Sequence, residues 1–554
     1  MTLLKRLNPI QRLIRLIQID KKEIYQVYIY ALFNGLVNLS MPLGIQAIIN
    51  LIQGAEVSTA WIVLVSFVIL GVLFTGILQM LQLRLVEDIS QKIFNRASFE
   101  FAYRIPKIQF KELYNYYAPE LANRFFDTIT IQKGLPKLLI DFSLAAFQIL
   151  VGLIVLSLYH PFFVIFGLLL LVLVYSIIAI SGPLGLKTSL EESKYKYQVA
   201  HWLEEIARTK LSFKLTHRPE ISLKKTDEYV SSYLKSRENH FRILIRQFIA
   251  LVGFKVLIAA GLLIIGSLLV FQQQMNIGQF VAAEIIILLI MNSVEKLIQS
   301  LDSIYDVLTA LEKIGYVTDM KLDKDDGICI PEEVEKFSLE ARDLCFEYPD
   351  SRHAILHNVN LKIEQGESVL ISGPAGSGKS TIIGLLSGIL EPTDGVIKYN
   401  GFPMQSLDFE SLKKHIGYAV SNNSIFLGSL LENITMGKDD IAHDNIMKTI
   451  KIVHLEDFVA GLKDGLDTEL DPEAKRIPRS VSNKIVLARA IINKPKLLIL
   501  EDPLDHVPVH EKRSILQALT EEGNPWSIIV SSVDMIWRDF IPREVDLDSK
   551  YQGK

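Results

Sequence analysis

From Ile24 to Ala55 the chain carries no charged residue, and from Val57 to Leu83 there is again none. A third uncharged run extends from Phe142 to Leu186, with Tyr159-His160-Pro161 near its middle. Phe248 to Phe271 holds only Lys255, and Gly278 to Ile298 holds only Glu284, Glu295 and Lys296. A bilayer-crossing helix needs about 20 mostly apolar residues. The third run is too long for one crossing, and Pro161 divides it into two helices joined by a tight turn. The pattern therefore predicts six membrane spans.

The flanks of these runs set the orientation. The short connections near Gly54, Pro161 and Met275 contain no Lys or Arg, whereas the connections Arg84 to Asp141 and Lys187 to Arg246 are rich in both. Cytoplasmic loops carry the excess of cations, so the long connections and both termini are expected inside. Each is about sixty residues of helical pattern, enough at ~1.5 Å per residue for an out-and-back excursion of roughly 40 Å. Ahead of the first span, Ile10, Leu13, Ile14, Leu16 and Ile17 alternate with Arg12, Arg15 and Lys21. This spacing predicts an amphipathic helix on the inner leaflet, with a cytosolic cap as the plainer reading. Lys21, Lys22 and Glu23 precede the first apolar run, so no secretory leader is expected. Asp141, Lys255 and Glu284 lie in or near spans, where ionisable groups are costly. Glu284 is the candidate for a substrate path.

After the sixth run the pattern changes. A polar stretch from Asp319 to Lys336 reads as a linker, and short strands and helices follow. The expected organisation is an amphipathic helix over residues 1–23, a six-span domain over 24–315, a linker over 316–335 and an α/β domain over 336–554. The fold class is a membrane all-α six-helix bundle plus an α/β P-loop NTPase domain. Across the 554 residues, 49% are hydrophobic and the formal net charge is -4, which gives no footprint for nucleic acid. The only two cysteines, Cys329 and Cys345, fit a reducing compartment rather than a disulfide framework.

The strongest motif is Gly373-Pro374-Ala375-Gly376-Ser377-Gly378-Lys379-Ser380, a P-loop, followed by Thr381. Ser368 to Ile371 reads as the strand before it, and Thr381 to Leu386 opens the helix after it. Glycines let backbone N–H groups converge on phosphate oxygens, Lys379 reaches the terminal phosphates, and the Ser380 hydroxyl can ligate Mg²⁺. The helix N-terminus adds its dipole. A second apolar strand, Lys496 to Leu500, ends in Glu501-Asp502, acids placed to organise Mg²⁺ and water. Upstream, Tyr348 is placed to stack on an adenine ring, core packing being the alternative. ATP and Mg²⁺ are the expected cofactors.

The order of six spans, linker, Tyr348, P-loop, Leu487-Ala488-Arg489-Ala490 and acid-ended strand resembles an ATP-binding-cassette (ABC) exporter half-transporter over nearly the whole chain. It looks most like bacterial exporters of the type I secretion and multidrug, lipid or peptide kind. The resemblance implies an ABC-type transport ATPase, multi-pass in the inner (cytoplasmic) membrane, with its nucleotide domain in the cytoplasm. It implies a homodimer, or a heterodimer with another half-transporter, in contact with the lipid bilayer. An envelope adaptor is a further partner it allows, and nucleic acid is not one. No attached peptidase is expected.

Several family groups are replaced. The glutamine expected after Ile416-Gly417-Tyr418-Ala419-Val420 is Ser421. The signature Leu-Ser-Gly-Gly-Gln gives way to Ile477-Pro478-Arg479-Ser480-Val481. Pro478 offers no N–H. Arg479 either supplies a guanidinium to a partner's γ-phosphate or is solvated or bound to backbone, and Ser480 completes this trans-site candidate. The acids stand as Glu501 then Asp502, where the family has Asp then Glu. Asp502 is a methylene short as general base, a displacement of about 1 Å that can cost ~10²-fold. The switch histidine falls at Ser532, next to Val533, and Asp505-His506-Val507-Pro508 also departs from the pattern. Two functions follow: an exporter coupling ATP binding, and slow hydrolysis, to transport, or a non-hydrolysing ATP-binding protein or degenerate partner in a heterodimer.

Overall fold

The computed structural model describes residues 7–53, 59–114, 116–217, 220–334, 336–349, 351, 353–420, 425–471 and 477–547. They form two compact units, residues 7–108 with 116–320, and residues 109–114 with 321–547.

Six helical segments of the first unit are long and apolar enough to cross a bilayer: Lys21–Ile52, Thr59–Lys107, Pro119–Ser157, Phe162–Arg208, Glu220–Phe271 and Ile277–Thr318. The expected division at Pro161 is present. His160 and Pro161 carbonyls accept from Phe163 and Val164 as the fourth span begins. The helices outrun the apolar stretches. Thr59–Arg104 and Phe162–Arg208 are continuous over 46 and 47 residues, so the charged connections are largely prolongations of the spans themselves. The first span breaks at Leu39, between Lys21–Asn38 and Ser40–Gln53. Pro42 supplies the reason, since it has no N–H for the carbonyl four residues back. The third span loosens into a π-helical turn at Lys137–Phe142, directly after Pro136.

Packing between helices, rather than escape from water, holds such a unit in lipid. One buried cluster joins Ile149, Leu156, Phe163, Leu170, Ile258, Ile286 and Val294 of the last four spans. A second joins Val27, Val86, Ile89, Ile131, Leu135 and Val307 of the first, second, third and sixth. Polar ties cross these interfaces. The buried Gln82 amide donates to the Val27 carbonyl at 3.1 Å, and Gln247 donates to the Tyr305 hydroxyl at 2.9 Å. Gly185 is required where the fourth and sixth spans meet, because a Cβ there would lie 2.4 Å from the Tyr305 ring. Lys255 does not reach for the membrane surface; it pairs with Glu295 of the sixth span at 2.5 Å.

The amphipathic segment is helical over Pro9–Ile19, capped by Asn8 and Gln11 in a reciprocal box. Its Leu13, Leu16 and Ile17 pack on the second cluster, while Ile10, Ile14 and Ile19 stay about half exposed. Arg12 grips Asp319 at 2.5 Å and Glu312 at 3.5 Å, at the end of the sixth span. The first span begins at Lys21.

The second unit is built on two sheets. β1 (Leu339–Phe346), β2 (Leu356–Ile363), β4 (Asp394–Tyr399) and β5 (Phe402–Pro403) form an antiparallel sheet in the order β2-β1-β4-β5. β3 (Ser368–Ser372), β6 (Ile416–Val420), β9 (Leu497–Glu501), β10 (Ser527–Ser531) and β11 (Arg543–Asp546) form a parallel sheet in the order β11-β3-β10-β9-β6. β7 (Gly428–Ser429) and β8 (Glu469–Leu470) make a small ribbon. The parallel strands read as apolar runs because both faces are covered. Leu370, Ile371, Leu498, Ile499, Leu500, Ile529 and Val530 are all buried. Each such side chain contributes about 1.5–3 kcal/mol of burial. Residues 109–114 belong to this unit. Gln109 donates from its backbone to the Lys321 carbonyl at 2.9 Å, and Lys111 pairs with Glu391 at 2.6 Å.

Candidate nucleotide site

The parallel register decides where the chemistry lies. Ser531 pairs with Ile371 of β3 on one side and with Glu501 of β9 on the other. The carboxyl ends of three adjacent strands thus finish together, at the edge where open α/β sheets bind ligands. β3 runs out into the P-loop, β9 into Glu501-Asp502, and β10 into Ser531-Ser532.

The loop turns on Gly378, whose φ of 90° is left-handed and whose missing Cβ would meet Ile355 and Leu356 within 3 Å. The helix Lys379–Leu386 begins at once and buries Thr381, Ile382 and Ile383. Lys379 Nζ donates to the Gly373 and Pro374 carbonyls at 2.7 and 2.9 Å. Ser377 is buried, and among the described residues its Oγ has no hydrogen-bond partner. An orphaned hydroxyl, a lysine held at the loop and a helix N-terminus form a donor set that fits a polyphosphate. Ser380 and Glu501, a hydroxyl and a carboxylate, fit a hard cation such as Mg²⁺.

The acid end is arranged differently. Glu501 closes β9 and is half-buried, and its charge, after burial, pushes the neighbouring Tyr418 phenol up to about 12. Asp502 sits at φ 41°, a conformation unfavourable for a residue with a Cβ. It is held there on three sides. Its N–H donates to the Ser531 carbonyl at 2.9 Å. Its Oδ1 accepts from Ser532 Oγ at 2.7 Å and from the Val533 N–H at 3.3 Å. Ser532 Oγ also accepts from the Asp534 N–H at 3.1 Å. Asp534 lies below the usual carboxylate range, because Lys512 at 2.5 Å and the Ile536 N–H outweigh the opposing effect of burial.

The remaining candidates are dispersed. The Tyr348 ring stands edge-on to Phe346 at 4.8 Å and to Tyr114 at 5.8 Å, half-buried in the second unit's core. The helix Arg479–Ile491 starts directly after Pro478 with no side-chain cap; Arg479 is exposed and Ser480 half-buried. Within that helix Arg489 donates to the Asn433 carbonyl at 2.8 Å and to its Oδ1 at 3.2 Å. This ties Leu487-Ala488-Arg489-Ala490 to Glu432-Asn433-Ile434. Asn483 donates to the Asp505 carbonyl at 2.8 Å, and His506, at φ 62°, contacts Asp505 at 3.1 Å. Ser421 lies outside the described residues. Glu284 is half-buried on the sixth span, away from the Lys255–Glu295 pair. The Ser532–Asp502 bond and the Tyr114–Tyr348 contact escaped sequence reasoning. A serine at a switch position signals a lost imidazole, not a new partner, and nothing in the spacing brings residue 114 to residue 348.

These features define a multi-pass membrane protein carrying an ATP-binding domain on the same chain. Residues 26–294 match the ABC transporter transmembrane region, and residues 356–505 match the ABC transporter domain. An ATP-dependent lipid A-core flippase of Legionella pneumophila (strain Paris) is 29% identical over 289 residues, 52% of this chain and 49% of that protein. A lactococcin-A transport/processing ATP-binding protein of Lactococcus lactis subsp. lactis is 23% identical over 516 residues, 90% of this chain and 70% of that protein. The chain spans about half the length of the flippase relatives it matches. A bacterial Atm1-family ABC exporter solved with ATP bound has the same fold, with a TM-score of 0.81 at 16% identity over 96% of this chain and 94% of that one. The chain belongs to the ABC transporter family, has the half-transporter arrangement of one membrane region and one ATP-binding region, and carries its ATP-binding domain on the cytoplasmic side.

Proposed function

We propose that this chain is one half of an ATP-driven exporter, in which ATP binding at the P-loop powers movement of a substrate out through the six-span unit. The observation that carries this reading is the joining, on one chain, of six bilayer-length helices to a P-loop whose Lys379 and Ser377 are placed for a polyphosphate. In it the loop N–H groups of Gly373 to Ser380, with Pro374 and Ala375 setting its path, cradle the phosphates. Lys379 neutralises them, Thr381 anchors the helix, and Tyr348 packs beside the base. Ser380 and Glu501 hold Mg²⁺, which when bound supplies charge to the terminal phosphates. Glu501 and Asp502 are the acids available for water activation. A second half, identical or different, completes the transporter, with Pro478, Arg479 and Ser480 facing its nucleotide.

Turnover is slow in this reading, because Asp502 Oδ1 is already occupied by Ser532 and Val533. Phosphate release from the full chain in nanodiscs, with Lys379→Ala as the blank, is the test. Release above the blank, accelerated by cargo, supports the exporter. No release above it, alone or with a second half-transporter, leaves a protein that binds ATP without using it and removes the export reading.

A further inference from the structure

One buried histidine of the membrane unit is held by neighbours that fix its protons. His240, on the fifth span, is 1% exposed. Its Nδ1 lies 2.8 Å from Thr188 Oγ1 of the fourth span, and its Nε2 lies 3.3 Å from Asp302 Oδ1 of the sixth. A neutral imidazole has one N–H and one bare nitrogen, so it donates to only one of two acceptors. The Asp302 carboxylate only accepts, so Nε2 carries a hydrogen. Thr188 has a single hydroxyl hydrogen, and its Oγ1 lies 3.0 Å from both the Leu184 and the Gly185 carbonyls, the usual place for a threonine hydrogen in a helix. With that hydrogen on the carbonyls, Oγ1 faces the ring as an acceptor, and Nδ1 carries a hydrogen too. The ring is then an imidazolium paired with Asp302.

The position of this group suits a switch. Thr188 directly follows Lys187, the first charge after the apolar run of the fourth span, and His240 lies six residues before Arg246 on the fifth. The junction is therefore at the cytoplasmic mouth of the bundle. The Asp302 side chain is 44% exposed, so protons reach the pair from water. The neighbouring ties are neutral: Ser189 bonds Thr309 at 2.8 Å, and Gln247 donates to Ser181 and Tyr305 at 2.9 Å each. The Tyr305 ring stands edge-on to His240 at 6.2 Å. The surrounding charges come from four helices. On the fifth, Arg237 pairs with Glu192 of the fourth at 3.1 Å. Lys196 follows Thr188 by two turns, Asp306 follows Asp302 by one, and Lys137 of the third span bonds Ser303 at 3.1 Å. Among these side-chain types, histidine is the one that ordinarily changes charge near neutral pH.

We infer that His240 is a proton-operated tie, which when charged fastens the fourth and sixth spans to the fifth and when neutral loosens the cytoplasmic mouth of the bundle. On deprotonation Nδ1 becomes an acceptor, facing an oxygen whose hydrogen is engaged on the two carbonyls. Either the ring or those carbonyls then lose a bond. Asp302 loses its counter-charge at the same moment, with Asp306 one turn away on the same helix. The tie is thus complete while the ring is protonated and is lost as pH rises, the sign that follows when a cationic group gains a carboxylate partner on folding. It operates independently of ATP turnover.

Nitrogen-15 NMR of the histidine-labelled full chain in nanodiscs reads the ring directly, with His240→Gln assigning its signals by subtraction. Two protonated ring nitrogens are expected at pH 6. Asp302→Asn, at a half-exposed position, should lower the ratio of charged to neutral ring at a given pH by ~10-fold or more, as loss of an opposite charge in contact requires. Amide exchange over residues 184–189 and 302–306, corrected for the intrinsic effect of pH, should rise ~10-fold between pH 6 and pH 8.5, the worth of one charged hydrogen bond. In His240→Gln it should stay flat. A bare ring nitrogen at pH 6 would overturn the inference. So would a charge ratio unmoved by Asp302→Asn, no rise in exchange in the native chain, or the same rise in His240→Gln.

Discussion

The ends of β3 and β9 lie on either side of β10, and they treat their functional groups in opposite ways. Beyond β3, among the described residues, the loop leaves Ser377 Oγ without a partner and holds Lys379 by two backbone carbonyls, bonds that a phosphate can replace. Beyond β9 the Asp502 carboxylate is already engaged through Oδ1 by Ser532 and Val533. One strand end is set up to receive a ligand, and the other is closed on itself. Holding a nucleotide and splitting it are thus separable properties in this fold, governed by different strand ends a few ångströms apart in register.

The difference can be broken at either end. Lys379→Ala removes the only side-chain cation of the loop and should weaken a fluorescent ATP analogue by more than ~100-fold, given about 1.5–3 kcal/mol for each charged hydrogen bond. If binding falls less than threefold, the loop is not the receiving end. Next in size, the double variant Asp502→Glu with Ser532→His removes the Ser532 hydroxyl from the carboxylate and lengthens the acid by a methylene. Phosphate release is expected to rise by ~10- to 100-fold, with affinity for the analogue unchanged. An unchanged rate would show that the closed strand end is not what limits turnover.

Two smaller changes sharpen the contrast by testing the scaffold beneath both ends. Arg489→Ala strips two hydrogen bonds from the buried Asn433 and should cost about 2–3 kcal/mol, read as a lower denaturation midpoint, with Arg489→Lys intermediate. The smallest effect concerns pH. His415 is buried against Phe337, with rings stacked at 5.6 Å, and burial lowers its pKa from 6.5. The folded state therefore binds fewer protons than the unfolded chain, so stability is full above pH 6.5 and falls as pH drops through that value. The melting temperature should decline modestly from pH 7.5 to 5.5, and His415→Gln should flatten that decline.

Much of the architecture was legible because its signals are one-dimensional. Uncharged runs give spans, a proline gives the turn at 161, and the glycine spacing of 373–380 gives the loop. The break at Leu39 was missed, although Pro42 announces it, because the run around it is uniformly apolar. Lys255 stands out in its span as a costly ionisable residue, but the sequence holds no sign that Glu295, forty residues on, stands opposite. At the ATP-binding end the replaced residues were visible one at a time. Their consequence required the parallel register that sets Ser531 beside Glu501.

Residues 109–114 carry one more consequence. They come from the connection between the second and third spans, yet they fold with the ATP-binding unit, through Lys111 on Glu391 and Tyr114 on Tyr348. A boundary along the chain is therefore not a boundary in space. A polypeptide beginning at Lys321 would be an incomplete domain: Tyr348, beside the proposed base position, would lose Tyr114, a neighbour contributed by a much earlier stretch of sequence. Any swap of ATP-binding domains between relatives has to exchange this six-residue piece as well, or it will graft a unit with part of its own surface missing.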